Sequence, residues 1–494
     1  MPGYVVDEAF ARSRDAFAEA EAWLGGPQAA GLEHGELEAV MEGRGRELLR
    51  LMLQDHLDLR AAREQRVERV TGPDRVVRTR AEKGHRRSLA TIFGPVTVSR
   101  IAYRAAGAGN VHLADAALNL PPERHSHGLR RMAAAAAARG SFGQACAEVT
   151  RRTGSALGRR QCEELARRAA ADFAGFYAAR PGRPAPGDVL ALSCDGKGIV
   201  VLASQMRPER ARKARSRARQ PKQDGRLSRG ETRDRKRMAE VCAVYDVAPV
   251  PRTAGQVLGP RPDGALRPPA PRAAGKWLTA GLAGPAAELV ASAFAEADRR
   301  DPGRRRTWIA LADGNTHQIG QIRKQAAARG ITVTVIIDFI HVIEHLWTAA
   351  WCFLPEASPD AAGWVRDRAA AILDGRAAEV AAGIRAAAAA ALSNAKHKQA
   401  TATAAYLDAK APCLGYPAAL AAGWPIGTGV IEGACRHLIK DRMDITGARW
   451  TVPTAEAILQ LRALHANGDF DEYWTYHLQQ EHHRNYPQTR QPPA

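Results

Sequence analysis

Residues 307–338 read TWIALADGNTHQIGQIRKQAAARGITVTVIID, and this stretch decides the predicted fold. Thr307–Ala312 is an apolar run with the length and composition of a buried strand. Residues 316–328 have helical composition, and Ile331–Ile337 is a continuously apolar, β-branched run typical of a buried parallel strand. The order strand, helix, strand predicts a βαβ unit and therefore an α/β fold.

Acidic residues follow both predicted strands. Asp313 comes after the first strand and Asp338 after the second. A βαβ unit brings both to the carboxyl ends of neighbouring strands, where open α/β sheets have their sites. A further acid, Asp195, lies in the middle of VLALSCDGKGIVVL (189–202), which we predict to be a pair of strands.

In the stretch GWPIGTGVIEGACRHLIKDRM (423–443), the carboxylate of Glu432 lies on the first turns of a basic helix. Thr428 stands where it can cap that helix. Glu432, Arg436 and Lys440 are spaced i, i+4 and i+8, which predicts that they share one face. An exposed ion pair is the common interpretation of such spacing. The alternative is that Glu432 holds a metal ion while Arg436 and Lys440 hold a nucleic acid strand.

The charge balance favours a polyanionic partner. Lys and Arg number 71 against 52 Asp and Glu, giving a formal net charge of +19 and a pI near 10.1. Such a balance in a chain of 494 residues is typical of nucleic-acid binding. Residues 141–170 give a weak helix-turn-helix pattern, with Arg159 and Arg160 on its second helix. Residues 207–237 are strongly basic and are predicted to be a loop.

Several classes of protein are disfavoured. Seven cysteines are scattered without CxxC spacing, which argues against a disulfide framework and a zinc ribbon and for a reducing cytosol. No run of eighteen uncharged apolar residues is present, so we expect no membrane span. The first seventeen residues lack the apolar core of a signal peptide. We therefore expect a cytoplasmic protein; association with the bacterial nucleoid is expected only from the family resemblance described below.

Asp195, Asp313 and Glu432 share one further property, because each is followed by glycine. Glycine lets backbone or substrate approach closely. Mg²⁺ prefers oxygen ligands, and paired ions held by carboxylates promote phosphodiester cleavage. Taken singly, an acidic residue in a strand is more often structural. The three together in a basic chain point to a metal-dependent nuclease chemistry with Mg²⁺ or Mn²⁺.

Four stretches carry a resemblance to a known family: SCDGKGIV, ALADGNTHQIGQI, IIDFIHVIEHLW and GWPIGTGVIEGACRHLIKDRM. Together they resemble the DDE transposases of bacterial insertion sequences, most closely the ISKra group within the Mutator-like set. The similarity extends over about residues 75–465 and includes TIFGPVTVSRIAYR (91–104). The family's N-terminal zinc-binding cysteine cluster has no counterpart in this chain.

The resemblance implies an α/β chain with an RNase H-like catalytic domain, interrupted by an all-helical insertion and preceded by a mainly helical DNA-binding region. The expected boundaries are 1–180 for the DNA-binding region, 186–350 for the first catalytic part, 351–422 for the insertion, 423–480 for the final catalytic part and 481–494 for a flexible tail.

The resemblance also implies roles for residues. Asp195, Asp313 and Glu432 become the catalytic and metal-binding triad, although the residues alone leave Asp338 exchangeable with Asp313. Asp338 and His341 match an accessory Asp-x-x-His motif. An ordinary i, i+4 histidine pair with His345 is the alternative for His341. The predicted DNA-binding residues are Arg436, Lys440, Arg442, Arg159 and Arg160.

The function implied is cleavage of the element's ends and transfer of the freed 3′-hydroxyl into target DNA. The partners would be double-stranded DNA, carrying terminal inverted repeats or target sequence, and further copies of the chain in at least a dimer. Two alternatives stay open on the sequence. One is an inactive DNA-binding relic or repressor, and the other is an RNase H-like nuclease that cuts without joining.

Overall fold

The computed structural model describes residues 6–182, 187–206, 236–259, 270–356, 358–391, 393–445 and 447–487. The chain divides into two compact units. The first consists of Met1–Ala178 and Asp469–Ala494, and the second of Ala179–Gly468. Most of the basic segment predicted to be a loop, residues 207–235, lies outside the described residues.

Nine helices and four strands are described in the N-terminal part of the first unit. The helices are α1 (Val6–Ala9), α2 (Ala11–Leu24), α3 (Pro27–Ala30), α4 (His34–Arg63), α5 (Leu113–Ala117), α6 (His127–Arg139), α7 (Phe142–Thr153), α8 (Arg159–Ala169) and α9 (Phe173–Ala179). The strands are β1 (Val70–Thr71), β2 (Val77–Arg78), β3 (Arg80–Thr91) and β4 (Gly94–Arg104).

The hairpin of β3 and β4 is the centre of the first unit's β-structure. The two strands pair antiparallel from Arg80 opposite Arg104 to Thr91 opposite Gly94. Their apolar face packs with α4 in a core formed by Leu57, Leu89, Val96, Val98 and Leu120. The stretch RSLATIFGPVTVSRIAYR (87–104) by itself predicts two short strands around Gly94-Pro95, and the hairpin confirms them.

Helices α7 and α8 correspond to the predicted helix-turn-helix stretch. A capping box between Ser141 and Gln144 begins α7. Gly154 ends it in the left-handed conformation, at φ 67°, which glycine adopts without strain. The local helices and the glycine turn are as predicted, and DNA binding by this pair stays a prediction.

The second unit is built on a five-stranded mixed sheet. Its strands are β5 (Val189–Val200), β6 (Lys236–Ala248), β7 (Arg272–Gly281), β8 (Thr307–Ala312) and β9 (Val333–Ile337). They lie in the order β7-β6-β5-β8-β9. The strands β5, β6 and β7 form an antiparallel meander, whereas β5, β8 and β9 run parallel. The α/β class is therefore confirmed.

Helices surround this sheet. They are α10 (Ala254–Leu258), α11 (Ala286–Arg300), α12 (Thr316–Arg329), α13 (Phe339–Phe353), α14 (Pro359–Leu373), α15 (Ala377–Ala391), α16 (Asn394–Lys410), α17 (Tyr416–Ala421), α18 (Gly429–Ala434), α19 (Asp441–Met443) and α20 (Val452–Asn467). A π-helical turn, Cys435–Lys440, joins α18 to α19.

The predicted βαβ unit is confirmed as β8-α12-β9. The side chains of Trp308, Ile309 and Leu311 are buried, as expected for a strand covered on both faces. Asn315 caps α12 by accepting a hydrogen bond from the His317 N–H, and Gly330 ends the helix in the left-handed conformation.

Two predictions of local structure are wrong. Residues 189–202 were expected to form two strands, but β5 is a single strand that stays paired with β6 through Gly196 and Gly198. The composition of residues 276–299 by itself predicts a helix over the whole stretch. Instead β7 extends to Gly281, because it completes the meander beside β6, and the helix begins only at Ala286.

The C-terminal region contributes to both units. After the helices α14 to α17, which occupy most of residues 358–421, the second unit closes with α20. The last helix, α21 (Phe470–Asn485), belongs to the first unit. It runs five residues into the predicted flexible tail, and 488–494 lie outside the described residues.

Among the described helices, none combines the length and apolar character needed to cross a lipid bilayer.

Candidate active site

Three adjacent parallel strands each lead to an aspartate at the same height along the sheet. In the register of β5, β8 and β9, Ser193 lies beside Leu311, which lies beside Ile336. Two residues further along each segment stand the acids Asp195, Asp313 and Asp338. The N–H of Asp338 still donates to the Ala312 carbonyl at 2.8 Å, so the ladder continues past the strand ends. The sheet thus brings these acids together at the carboxyl ends of its parallel strands, here called the sheet edge.

Asp195 is half-buried and hydrogen-bonded on both carboxylate oxygens. Its Oδ1 accepts the Gly196 N–H at 2.6 Å, and its Oδ2 accepts the thiol of Cys435 at 3.2 Å. Burial raises the pKa of Cys435, and the neighbouring Asp195 raises it further. The thiol therefore stays protonated and remains a donor. This contact ties the π-helical turn to β5.

Asp313 is half-buried where β8 ends. Its Oδ1 accepts the Asn315 N–H at 2.8 Å, which fixes the turn into α12. Gly314 has φ 94°, and a Cβ at this position would lie 2.6 Å from the hydroxyl oxygen of Tyr406. Glycine is required here by both the backbone conformation and the close approach of Tyr406.

Asp338 is completely buried and links β9 to the segment that carries Glu432. Its Oδ1 accepts the Ile340 N–H at 2.9 Å, while its Oδ2 accepts the hydroxyl of Thr428. The same hydroxyl lies 3.3 Å from Oε1 of Glu432. Thr428 occupies the N-cap position of α18, as predicted. Its side chain makes no capping hydrogen bond, because its hydroxyl faces the two carboxylates instead.

Glu432 is exposed at the start of the basic helical segment. Arg436 and Lys440, which were predicted to share a face with Glu432, are exposed as well, and both lie in the π-helical turn after α18. Among the described residues Glu432 makes no ion pair, and Asp441 takes the basic partners instead. It lies 3.9 Å from Arg436 and 3.2 Å from His437.

The predicted DNA-binding residues fall into two groups. Arg436 and Lys440 are exposed, as are Arg159 and Arg160 at the start of α8 in the first unit. Arg442 is only 2% exposed, and its guanidinium lies 4.7 Å from the centre of the Trp450 ring. A side chain buried in this way has no surface to offer a phosphate, so Arg442 leaves the DNA-binding set.

Glu240 on β6 is an acid of this region that the sequence analysis missed. It lies opposite Gly196 in the β5–β6 register. Burial raises the pKa of Glu240 to about 7, and Asp195 and Asp313 raise it while a hydrogen bond from Gln318 opposes them. The pKa of Glu240 therefore depends on the negative charges of both aspartates. Only the cross-strand register, which local sequence does not reveal, could have identified it.

His341, the predicted accessory residue, lies on the first turn of α13. Its Nδ1 is 3.6 Å from a carboxylate oxygen of Glu344. His345, one turn later, stacks on Tyr406 with 3.8 Å between ring centroids. Burial lowers the pKa of His345, and His341 lowers it further. The two histidines line one side of the helix that follows Asp338.

The donor set suits a hard divalent cation, but the side chains are not closed around one. Asp195, Asp313 and Glu432 offer carboxylate oxygens. Glu240 is close enough to Asp195 and Asp313 for their charges to raise its pKa. Within the described ranges, no group of three His, Cys, Asp or Glu side chains has the geometry to hold a metal ion. The arrangement concentrates negative charge at one sheet edge, and a cation would relieve that charge.

No protein-family model matches this sequence, and no curated protein matches it either.

Proposed function

We propose that the chain is a DNA transposase of the DDE type. It would cut the ends of an insertion sequence in a metal-dependent reaction and join the freed 3′-hydroxyl to target DNA. The catalytic residues would be Asp195, Asp313 and Glu432. One observation carries this proposal: three parallel strands bring aspartates to one level, and Thr428 connects that edge to Glu432.

The sheet supports the finer fold assignment. A three-stranded antiparallel meander followed by two strands parallel to the first is the arrangement expected of an RNase H-like domain. Between Asp338 and Glu432 the chain forms mostly helices, α13 to α17, with no strand among the described residues. That segment stands where the resembling transposases carry their all-helical insertion.

Mg²⁺ or Mn²⁺ fits the donor set of hard oxygens, and Asp195, Asp313 and Glu432 would hold it. When bound, such an ion lowers the pKa of water and offsets charge on the reacting phosphate. The chain's own residues prepare this site. The Cys435 thiol orients Asp195, the Asn315 N–H orients Asp313, and the Thr428 hydroxyl positions Glu432.

DNA binding is supported by charge and exposure. The formal net charge of +19 supplies long-range attraction to a polyanion. Arg436 and Lys440 are exposed shortly after Glu432, and Arg159 and Arg160 are exposed in the helix pair of the first unit. Terminal repeats and target DNA would be the partners. Bringing two element ends together would require at least a dimer, acting in the cytoplasm on the nucleoid.

The test is strand cleavage by the purified full-length chain. Labelled duplexes carrying the sequences that flank its gene are incubated with Mg²⁺, with Mn²⁺ and with chelator. We expect metal-dependent cuts at the element ends followed by joined products, both lost in Glu432→Gln. Glu379→Gln, an exposed acid on α15, serves as the matched control and should cut normally.

Three other outcomes would contradict the proposal in different ways. Full cleavage by Glu432→Gln would remove this residue from the site. Binding without cleavage under every condition would favour the relic or repressor. Metal-dependent cutting with no joined product would favour a nuclease of the same fold.

A further inference from the structure

Helix α16 passes over the turn that follows Asp313. The Tyr406 hydroxyl lies against Gly314, where it leaves no space for a Cβ. One helical turn later, Nζ of Lys410 donates to the Thr316 hydroxyl at 2.9 Å. Residues at i and i+4 share a helix face, so Tyr406 and Lys410 both face this turn. Nothing in the proposed function so far uses either side chain.

Tyr406 carries a buried hydroxyl without a partner among the described residues. Leaving such a group unsatisfied costs about 1–3 kcal/mol, so its retention asks for an explanation. The ring is held in place by stacking on His345, with 20° between the ring planes. Burial raises the pKa of Tyr406 to about 12, and Asp313 and Asp338 add to the rise. The phenol therefore stays protonated, and its O–H is available to donate a hydrogen bond.

Lys410 brings positive charge to the same place. Its ammonium group has three hydrogen-bond donors, and Thr316 takes one of them. The acids at the sheet edge would by themselves repel a phosphodiester. A cation and a fixed hydroxyl donor beside Asp313 supply the complementary charge that a phosphate requires.

We propose that Tyr406 and Lys410 contact the non-bridging oxygens of the phosphodiester bound beside Asp313. Tyr406 donates one hydrogen bond from a fixed ring, and Lys410 neutralises charge on the same strand. The helical segment between Asp338 and Glu432 is then part of the substrate site rather than a spacer. This inference rests on the proposed function, because it takes a nucleic acid strand as the substrate.

The first test compares wild type with Tyr406→Phe, which removes only the hydroxyl and keeps the stack on His345. Single-turnover cleavage at saturating DNA should slow at least about tenfold, because a fixed donor to the reacting group is lost. Thermal unfolding should be unchanged or slightly improved, since no hydrogen bond within the described residues is broken. A cleavage rate equal to that of wild type would overturn the role of Tyr406.

The second test needs no cleavage. Binding of a labelled duplex is measured in chelator over a salt series for Lys410→Gln, Lys410→Arg and the matched control Lys398→Gln on the same helix. In Lys410→Gln, loss of one phosphate contact should make the negative slope of log K against log salt shallower by about one. Lys410→Arg and Lys398→Gln should keep the wild-type slope.

The outcomes separate the two proposals. A wild-type chain that never cuts overturns the proposed transposase, and the salt series still decides whether Lys410 meets a phosphate. A wild-type chain that cuts, with Tyr406→Phe equally fast and all four salt slopes equal, overturns only the present inference.

Discussion

Thr428 connects two acids through one hydroxyl group. The residue is 4% exposed, its oxygen contacts Asp338, and it lies 3.3 Å from Glu432. A hydroxyl carries one proton, so it donates to one carboxylate at a time. The position of Glu432 relative to the strand ends therefore depends on a side chain that the sequence presents only as a helix cap.

Replacing Thr428 tests this link. Thr428→Val removes the donor and leaves the buried Asp338 short of a hydrogen bond, so unfolding free energy should fall by about 1–3 kcal/mol. Cleavage should fall as well, because Glu432 loses its anchor. Thr428→Ser keeps the hydroxyl and should restore most of both. Equal behaviour of the valine and serine variants, in denaturation and in cleavage, would show that the hydroxyl does not matter.

Glu240 predicts a specific pH dependence. Its folded pKa of about 7 exceeds the ordinary glutamate pKa of 4.5, so the folded chain binds this proton more tightly than the unfolded chain. Stability is therefore lost as pH rises from about 4.5 to 7, and the penalty is complete above pH 7.

Glu240→Gln should remove that penalty. In chelator, the variant should gain roughly 3 kcal/mol over wild type at pH 8 relative to pH 4.5, since the pKa of Glu240 rises from 4.5 to about 7 on folding and each pKa unit corresponds to about 1.4 kcal/mol. Chemical denaturation at the two pH values measures the difference. If the variant's advantage is the same at both, Glu240 does not titrate as described.

Local sequence reaches only part of this site. Asp195, Asp313 and Glu432 can be picked out from the sequence because each is an acid followed directly by glycine. Glu240 and Cys435 join them only through cross-strand register and through helix packing against β5. Such contacts leave no periodic trace in the residues, so sequence alone could not assign them.

Among the elements, the π-helical turn Cys435–Lys440 changes the site most. The residues from Gly429 onward have the periodicity of one α-helix, which predicts a common face for Glu432, Arg436 and Lys440, and all three are exposed. The turn directs Cys435 to Asp195. A π-helical turn is often found at functional sites, and nothing in the residue types signals it.

The arginines after this turn should separate binding from stability. Arg436→Ala should lower the salt slope of DNA binding by about one and leave stability nearly unchanged. Arg442→Ala should keep the slope but cost about 1–3 kcal/mol of unfolding free energy, because its stack on Trp450 is lost. Salt titration and denaturation of both variants check this, and reversed effects would contradict the assignment.

Strand β7 shows where local pattern fails. Its residues through Gly281 run into the helical composition of α11, so residues 276–299 were predicted as one helix. The strand forms because β6 offers an edge: Trp277 pairs with Val244, and Thr279 with Cys242. By contrast β8, α12 and β9 carry their own signals in burial, capping and periodicity, and these were predicted correctly.

For the whole molecule, the return of the last helix to the first unit is the main unexpected feature. Arg130 on α6 is fully buried and bonded to Glu481 on α21 through two hydrogen bonds of 2.6 and 2.9 Å. Tyr473 adds a buried bond of 2.6 Å to the Ala169 carbonyl. A pairing across roughly 350 residues has no local sequence signature, so the residues alone do not predict that α21 packs in the first unit.

That pairing can be tested against a surface pair formed by the same two helices. Glu481→Ala should destabilise the first unit by about 3 kcal/mol, because the buried Arg130 loses two hydrogen bonds and keeps only Glu123, 3.0 Å from its Nε, as a carboxylate partner. Asp471→Ala removes the exposed partner of Arg131 and should cost less than about 1 kcal/mol. Denaturation followed by limited proteolysis measures both. Similar small losses would mean that α21 contributes little to the first unit.

The most direct test of the account is Mn²⁺ binding, followed by isothermal titration, to wild type and to Asp195→Asn, Asp313→Asn and Glu432→Gln. If the three acids form one site, each substitution should weaken Mn²⁺ affinity at least about tenfold, while Glu379→Gln should not. Unchanged affinity in all three variants, or no Mn²⁺ binding by the wild type with or without DNA, would contradict the central claim.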